Sequence, residues 1–191
     1  LGFVGGMNVP IIHAFQFGYK SGATYADPKV KFLEQFAESF TDAAKGKAIT
    51  NQMFLKGADV VFHAAGGVGD GVIEAGKEQN KMVIGVDRDQ NYLAPKNVIT
   101  SSMKRVDNAI YHVVEGLKKG EFSGGTTLNF GLKDGAVDIA PTTEKMIPAT
   151  LVKEVSDLKK LVSDGKIKVP ANEADFKSFD SKTKNPKPRS S

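Results

Sequence analysis

The stretch VVFHAAGGVGDGVIEAGKEQ, residues 60–79, decides the fold, because an apolar run, a glycine-rich turn and a helical pattern follow one another in it. A strand that leads through a turn into a helix is the repeating unit of a parallel α/β sheet. Further strand patterns are LGFVGGM (1–7), VKFLEQFAES (30–39), ADVVFHAA (58–65), MVIGVD (82–87) and NVITSSM (97–103). The sequence therefore predicts an α/β fold with a doubly wound parallel sheet covered by helices on both faces.

The helices are predicted from apolar spacing and from residues that favour helix ends. They are PIIHAFQFGYKSGA (10–23), DAAKGKAITNQMFLKG (42–57), GVIEAGKEQNK (71–81) and RVDNAIYHVVEGLKKG (105–120). Pro10 suits the first turn of its helix and Gly120 suits the end of the last one. Ser39 or Thr41 can cap the second helix, with Asp42 in its first turn.

The alternation of strands and helices ends near residue 122, so three regions are predicted. Residues 1–122 form the α/β ligand-binding domain. Residues 123–175 are predicted to hold two strands about Asp134 and Gly135, followed by a helix with Leu151 and Val155 on one face. Residues 176–191, rich in Lys, Ser and Pro, are predicted to be a flexible tail.

The composition narrows the class of protein. The 191 residues are 40% apolar and 25% charged, as in an ordinary folded domain, and the formal charge is +4. Basic and aromatic residues do not interleave, so no nucleic-acid partner is expected. Cysteine is absent, the three histidines lack metal-ligand spacing, and no serine stands in a G-x-S-x-G elbow. We therefore expect no enzyme, no catalytic residue, no metal and no cofactor.

The glycine-rich turn does not fit a phosphate site. A P-loop needs Lys and Ser or Thr after its last glycine, whereas this chain has DGVI there, with an anion-repelling Asp70. The dinucleotide fingerprint needs a third glycine where Val72 stands. Two interpretations remain: a tight strand-to-helix turn without a ligand, or a turn whose bare backbone amides at Gly66 and Gly67 approach a neutral, polar ligand.

Other polar and aromatic side chains follow the predicted strands, where ligands bind in open α/β sheets. Asp87 directly follows MVIGVD, and its carboxylate can accept hydrogen bonds from two adjacent sugar hydroxyls. Lys104 ends the neighbouring strand and could both pair with Asp87 and donate to the same ligand. Phe15 or Phe17 could offer a ring to a planar base, since only one of them can face the sheet.

Four ordered motifs carry a resemblance to a known family: GFVGGMNVPIIHAFQFGYKSGA, SFTDAAKGKA, GADVVFHAAGGVGDGVIEAGKEQNKMVIGVDRDQ and VITSSMKRVDNAIY. Together they resemble the basic membrane protein family of bacterial lipoproteins, the nucleoside-binding components of ABC transporters. The resemblance implies a type I periplasmic-binding-protein fold, in which two α/β lobes close on a nucleoside. The chain resembles the C-terminal lobe, and residues 123–175 resemble the return of the chain toward the hinge.

The resemblance also implies roles for individual residues. Phe15 would stack on the base, although Phe17 and Phe62 lie near enough to be alternatives. Gly66 and Gly67 would line the pocket. In the same way, the resemblance assigns the ribose hydroxyls to Asp87 and Lys104. The implied function is binding of nucleosides, purine nucleosides above all, for uptake through a membrane permease.

Further expectations concern the surroundings of the chain. LGFVGGM begins in a core strand without an initiator Met or signal peptide, which predicts that an N-terminal part of the protein is missing. The resemblance implies that this part is an N-terminal lobe with a lipid-bearing Cys. The complete protein would then be extracytoplasmic and anchored to the cell membrane. The isolated chain would bind weakly, or would form a dimer through the apolar face of its cleft. Two other functions stay open, the effector-binding domain of a transcription regulator of the same fold and the binding of a sugar or riboflavin.

Overall fold

The computed structural model describes residues 1–121 and 124–182, and within them an α/β fold with a six-stranded sheet. The elements are β1 (Gly2–Gly5), α1 (Pro10–Ala26), β2 (Leu33–Phe36), α2 (Ala43–Leu55), β3 (Val60–Ala64), α3 (Val68–Glu78), β4 (Met82–Asp87), β5 (Val98–Lys104), α4 (Val106–Lys119), β6 (Val137–Ile139), α5 (Thr143–Met146), α6 (Ala149–Ser163) and α7 (Glu173–Lys182). The strand order is β2-β1-β3-β4-β5-β6. The predicted doubly wound fold is confirmed, because its first five strands follow the flavodoxin-like order.

Strand pairing is largely parallel. β1 pairs in parallel with β2 on one side and with β3 on the other, in the register Phe3↔Glu34 and Phe3↔Phe62. β6 is the exception, since it runs antiparallel to β5 with Ser102 opposite Ile139. Every residue of β1 is buried, and so are the last four residues of β3. Such strands read as continuous apolar runs because helices leave neither face to solvent.

The chain divides into two compact units. The first contains residues 1–83 and the segment that begins at Lys168, and the second contains residues 84–167. The units divide after residues 83 and 167, whereas the predicted boundaries lie at residues 122 and 175. Residues 176–182 of the predicted flexible tail are helical, in α7, where the ring of Phe176 lies 5.8 Å from that of Phe17. The rest of that predicted tail, residues 183–191, lies outside the described residues.

Glycines allow α2 and α3 to pack with backbone against backbone. A Cβ atom on Gly71 would overlap the carbonyl oxygen of Ala43, and one on Gly46 would overlap that of Val68. A Cβ on Gly69 would overlap the ring of His63, which is fully buried. Two glycines of the motif GGVGDG are therefore required for packing, in agreement with the purely structural interpretation for those two positions.

The predicted cap of α2 is wrong. Asp42, and neither Ser39 nor Thr41, is the N-cap, and its Oδ1 accepts the backbone N–H of Lys45 at 2.9 Å. The Oγ of Ser39 instead accepts the N–H groups of Thr41 and Asp42, both at 3.1 Å. Ser39 therefore shapes the approach to the helix, and the carboxylate of Asp42 satisfies an N–H that the first turn leaves unpaired.

The pair of strands predicted about Asp134 and Gly135 is also wrong. Residues 132–134 form a short helical turn, and within the described part of this segment β6 is the only strand. The backbone N–H of Gly131 donates to Oδ2 of Asp134 at 2.7 Å, and Gly135 is left-handed with φ +64°. An aspartate that bonds its own local backbone favours such a turn over a hairpin.

Two predictions for the helices of the second unit are confirmed. α4 ends at Gly120, whose φ of +77° is the left-handed conformation of a helix stop. The apolar row of α6 that contains Leu151 and Val155 is half-buried. Along residues 1–121 and 124–182, no helix is both long and apolar enough to span a membrane.

The helix-packing glycines give a test of this fold. Gly71→Ala is expected to lower the free energy of unfolding by about 3 kcal/mol, because the new methyl group meets backbone that cannot rotate away. Gly22→Ala in α1 is the control, since a Cβ there meets nothing within 4 Å. It should raise stability by about 0.5–1 kcal/mol through helix propensity. Urea unfolding measures both, and equal effects of the two substitutions would contradict the proposed packing.

Candidate functional site

The turn between β3 and α3 lies in the first unit and depends on Gly66. Gly66 is left-handed, with φ +58°, so a side chain there would strain the backbone. The N–H of Gly67 donates to the carbonyl oxygen of Phe40 at 2.8 Å, and that of Val68 donates to Ala65 at 3.2 Å. The amide of Gly67, predicted to be bare, is therefore already used. The turn can offer a ligand a close surface but not the row of free donors that anion binding requires.

Phe40 is a neighbour of this turn that the sequence reasoning missed. Its ring occupies the space where a Cβ on Gly6 would lie, and its carbonyl oxygen is 3.0 Å from where a Cβ on Gly66 would lie. The side chain is nevertheless 43% exposed. The available signal was an aromatic residue in SFTDAA, directly after a strand, where no core position was predicted. Phe40 thus adds an exposed ring beside the glycine turn.

The three candidate aromatic residues of the first unit differ in burial. Phe17 is 8% exposed and Phe62 is 4% exposed, so both belong to the core. Phe15 is only half-buried, and its ring lies 6.5 Å from that of Phe62 in a tilted arrangement. A ring that stacks on a ligand must present a face that the protein leaves uncovered. Burial therefore favours Phe15 over the two alternatives.

The second unit brings Asp87 and Lys104 together. They end the adjacent strands β4 and β5, and Nζ of Lys104 lies 2.9 Å from Oδ1 of Asp87. The pairing that the sequence predicted is therefore present. The side chains are 47% and 52% exposed, respectively. A carboxylate can accept about four hydrogen bonds and an ammonium can donate three, so both groups retain capacity for a ligand.

Asp87 also has an unusual backbone. Its φ of +65° is left-handed, a conformation that few non-glycine residues adopt and that Asp tolerates better than most. The N–H of Arg88 donates to the carbonyl oxygen of Val86 at 2.7 Å, which closes a tight turn around Asp87. The left-handed conformation costs about 1–2 kcal/mol and must be held by the surrounding structure. This backbone geometry thus sets the direction in which the Asp87 carboxylate points.

A separate cavity in the second unit has a volume of about 590 Å³ and is lined by β5, β6 and α6. Its charged wall is an ion pair in which Nζ of Lys159 lies 2.7 Å from Oδ2 of Asp138. Burial tends to raise the pKa of Asp138. The hydrogen bonds from Lys159 and from the backbone N–H of Ile139, together with the positive charge of Lys159, outweigh burial and lower the pKa overall. Asp87 and Lys104 do not line this cavity. No metal-binding cluster of three or more His, Asp or Glu is found in the described ranges.

The Asp87–Lys104 pair should matter little for stability. Lys104→Met is expected to change the free energy of unfolding by less than about 1 kcal/mol, because both partners are half-exposed and solvent screens them. Lys153→Met is the matched control, since it removes an exposed ion pair with Asp157 within α6. Urea unfolding should give similar small losses for both. A loss several times larger at Lys104 would make that pair a structural element of the fold.

Solved structures of transporter proteins resemble this chain. An ABC transporter solute-binding protein from Aeropyrum pernix K1 matches 93% of this chain and 59% of its own, with TM-score 0.78 and 26% identity. A transcriptional activator of the comK gene from Bacillus halodurans matches 84% of this chain with TM-score 0.75, but its 23% identity shows a shared fold alone. These likenesses confirm the predicted fold of periplasmic binding proteins.

Relatives by sequence agree with the structural comparison. Basic membrane protein A of Borreliella burgdorferi is 40% identical over 94% of this chain and 53% of its own length. The homologous protein of Borreliella afzelii is 39% identical over 94% of this chain and 56% of its own length. The chain thus spans about half the length of the curated relatives it matches. A family model described as PnrA-like substrate-binding protein of ABC transporters matches residues 1–173, and the chain belongs to that family.

Proposed function

We propose that this chain forms part of the nucleoside-binding subunit of an ABC transporter, with purine nucleosides as its ligands. The family supports the coarse function, substrate binding for a transporter. The observation that carries the finer proposal is the pair of Asp87 and Lys104, 2.9 Å apart at the ends of β4 and β5. The carboxylate of Asp87 accepts hydrogen bonds and the ammonium of Lys104 donates them. Vicinal hydroxyls can both donate and accept, so they match this pair.

The ribose is assigned to this pair. Two adjacent hydroxyls of the sugar would donate to the carboxylate of Asp87, and the ammonium of Lys104 would donate to a hydroxyl oxygen. Because the two charges balance each other, an uncharged ligand can cover them without leaving an unpaired charge away from water. A sugar that lacks one hydroxyl would leave a carboxylate oxygen without its partner, which gives the pair a basis for discrimination.

The base is assigned to an aromatic ring and to the glycine turn that follows β3. Phe15 is the candidate aromatic whose ring is not covered by the core, and Gly66 and Gly67 form an exposed turn without side chains. The N–H of Gly67 is occupied by the carbonyl oxygen of Phe40 at 2.8 Å. The turn therefore lacks the donors expected of a phosphate site, which supports a nucleoside over a nucleotide.

The proposal extends to the environment of the protein. Relatives about twice as long support a second lobe that supplies the other wall of the pocket, so residues 1–191 alone should bind a nucleoside weakly. The partner would be an ABC transporter permease, and the location extracytoplasmic with a lipid anchor. No catalytic step, metal, cofactor or nucleic-acid partner enters the proposal.

A transcription regulator remains the alternative of another class. The activator from Bacillus halodurans shares the fold, and the fold alone does not decide the function. A sugar or riboflavin binder is the third candidate, because any vicinal diol suits the carboxylate of Asp87. Mass spectrometry of the small molecules that copurify with the protein distinguishes these ligands.

The ribose assignment is tested by Asp87→Ala in a full-length family protein that carries this chain as its C-terminal portion. Guanosine or adenosine affinity should fall by about 1.5–3 kcal/mol, the value of hydrogen bonds to a charged group. Isothermal titration calorimetry measures the loss. Asp70→Ala is the control, since Asp70 is exposed in the first turn of α3 and no role in ligand binding is assigned to it. Unchanged affinity in Asp87→Ala would refute the assignment.

The dimer of residues 1–191 also stays a prediction, and we propose α4, in place of the cleft face, as its surface. One face of this helix carries an exposed apolar row of Val106, Ile110, Val114 and Leu117. In an antiparallel pair of α4 helices, Asp107 of one copy would approach Lys118 of the other. The row and the charges are thus self-complementary, as a twofold interface requires.

Sedimentation velocity of the 191-residue chain tests this surface. Ile110→Lys should shift the chain toward the monomer, because it places a charge at the centre of the apolar row. Leu55→Lys is the matched control, since it changes an exposed apolar residue at the end of α2 that lies outside the row. A chain that is monomeric at all concentrations, or equal effects of both substitutions, would rule out the α4 dimer.

A further inference from the structure

We propose that Gln90 is a positioning residue for Asp87 and that, together with Ser101, it fixes the loop that presents the carboxylate to the ligand. The inference rests on the proposed function, in which Asp87 accepts the ribose hydroxyls. Gln90 itself is assigned no contact with the ligand. Its effect reaches Asp87 through the backbone of the loop that joins β4 to the following helical turn at Asn91–Leu93.

The side chain of Gln90 is a buried polar group with specific bonds. It is 5% exposed, and its Oε1 accepts the backbone N–H of Val86 at 2.8 Å. The backbone N–H of Gln90 donates to Oγ of Ser101 at 3.1 Å, and Ser101 is fully buried in β5. Gln90 therefore ties the residue before Asp87 to the strand that carries Lys104 at its end.

The strand has space for this arrangement because residue 85 is a glycine. A Cβ on Gly85 would lie 2.5 Å from Oγ of Ser101 and 2.6 Å from Oε1 of Gln90. Such contacts are far inside van der Waals separation, so no larger residue fits while both polar groups keep their places. The absence of a side chain at Gly85 thus makes room for the polar groups of Gln90 and Ser101.

The hydrogen bond from the N–H of Val86 to Oε1 of Gln90 joins the residue before Asp87 to a residue three positions after it, and so closes this segment of the loop. Inside this closed segment Asp87 is left-handed, and the N–H of Arg88 returns to the carbonyl oxygen of Val86 at 2.7 Å. Without the acceptor on Gln90, the N–H of Val86 would lose its partner and the loop could relax to commoner backbone conformations. Asp87 would then turn its carboxylate away from Nζ of Lys104.

A second anchor of the loop acts farther from Asp87. The carboxylate of Asp89 accepts the hydroxyl of Thr142 at 2.8 Å and the backbone N–H of Asn91 at 3.1 Å. These bonds hold the far end of the loop against the segment before α5. Of these two side-chain anchors, Gln90 is the one that bonds the backbone of β4 beside Asp87, at the N–H of Val86. We therefore propose that Gln90 sets the orientation of the Asp87 carboxylate.

The test uses Gln90→Met, which keeps the length of the side chain and removes the acceptor, in the full-length family protein. Guanosine affinity should fall by at least about tenfold, as expected when a hydrogen bond to a charged group is lost. Affinity for 2′,3′-dideoxyguanosine should stay within about twofold, because that ligand lacks the hydroxyls that Asp87 accepts.

A double-mutant cycle separates positioning from general damage. In the Asp87→Ala background, Gln90→Met should cause no further loss of guanosine affinity, because the group it positions is gone. Equal losses for guanosine and dideoxyguanosine, or additive losses in the cycle, would overturn the inference in favour of a merely structural role. If Gln90→Met does not fold, Ser101→Ala provides the same comparison, since it removes the acceptor for the N–H of Gln90.

The outcomes also separate this inference from the proposed function. Asp87→Ala with unchanged guanosine affinity refutes the ribose assignment, and the positioning role fails with it. Asp87→Ala with weakened affinity, together with Gln90→Met that binds guanosine normally, refutes the positioning role alone. Loss in both variants, with dideoxyguanosine binding retained, supports both.

Discussion

The burial of its parallel strands on both faces is the constraint on which this structure depends. β1 and most of β3 are inaccessible to solvent, so a charged side chain within them would lose its hydration without gaining a partner. In strands buried in this way, charge is acceptable only at the ends, whereas the edge strands β2 and β6 carry Glu34 and Asp138 within them. In β4 the last residue, Asp87, is exposed after the buried Val86, and in β5 Lys104 ends the strand in the same way. In the inner strands β4 and β5, charged groups are confined to the strand ends because the other residues are occupied by packing.

This confinement explains how much could be predicted from the sequence. The order of strands and helices follows from local apolar patterns, and the pairing of Asp87 with Lys104 follows from the adjacency of two strands. The helical turn before β6 was missed because Asp134 bonds its own backbone where a hairpin was expected. α7 was not predicted because its sequence is polar. Phe176, which packs against the first unit's core, contacts Phe17, and this residue lies far away in the chain.

The candidate site was less predictable for a related reason. The amide of Gly67 looked bare because its acceptor, the carbonyl of Phe40, belongs to another loop that sequence spacing does not bring near. No role was predicted for Gln90, and its burial above Gly85 is seen only in the structure. Residue types at strand ends could thus be recognised from the sequence. Which partner occupies such a residue, and in which direction its side chain points, depends on contacts between different segments of the chain.

The left-handed backbone at Asp87 limits how this protein can change. Residues with branched or bulky side chains avoid such a conformation, and Asp, Asn and Gly accept it most readily. Glycine would leave the end of β4 without a functional group. Asparagine would keep the shape but replace one acceptor oxygen with a donor, and so reverse half of the hydrogen-bonding pattern required of a ligand. The backbone at the strand end therefore restricts the range of ligands that single substitutions can reach from the present sequence.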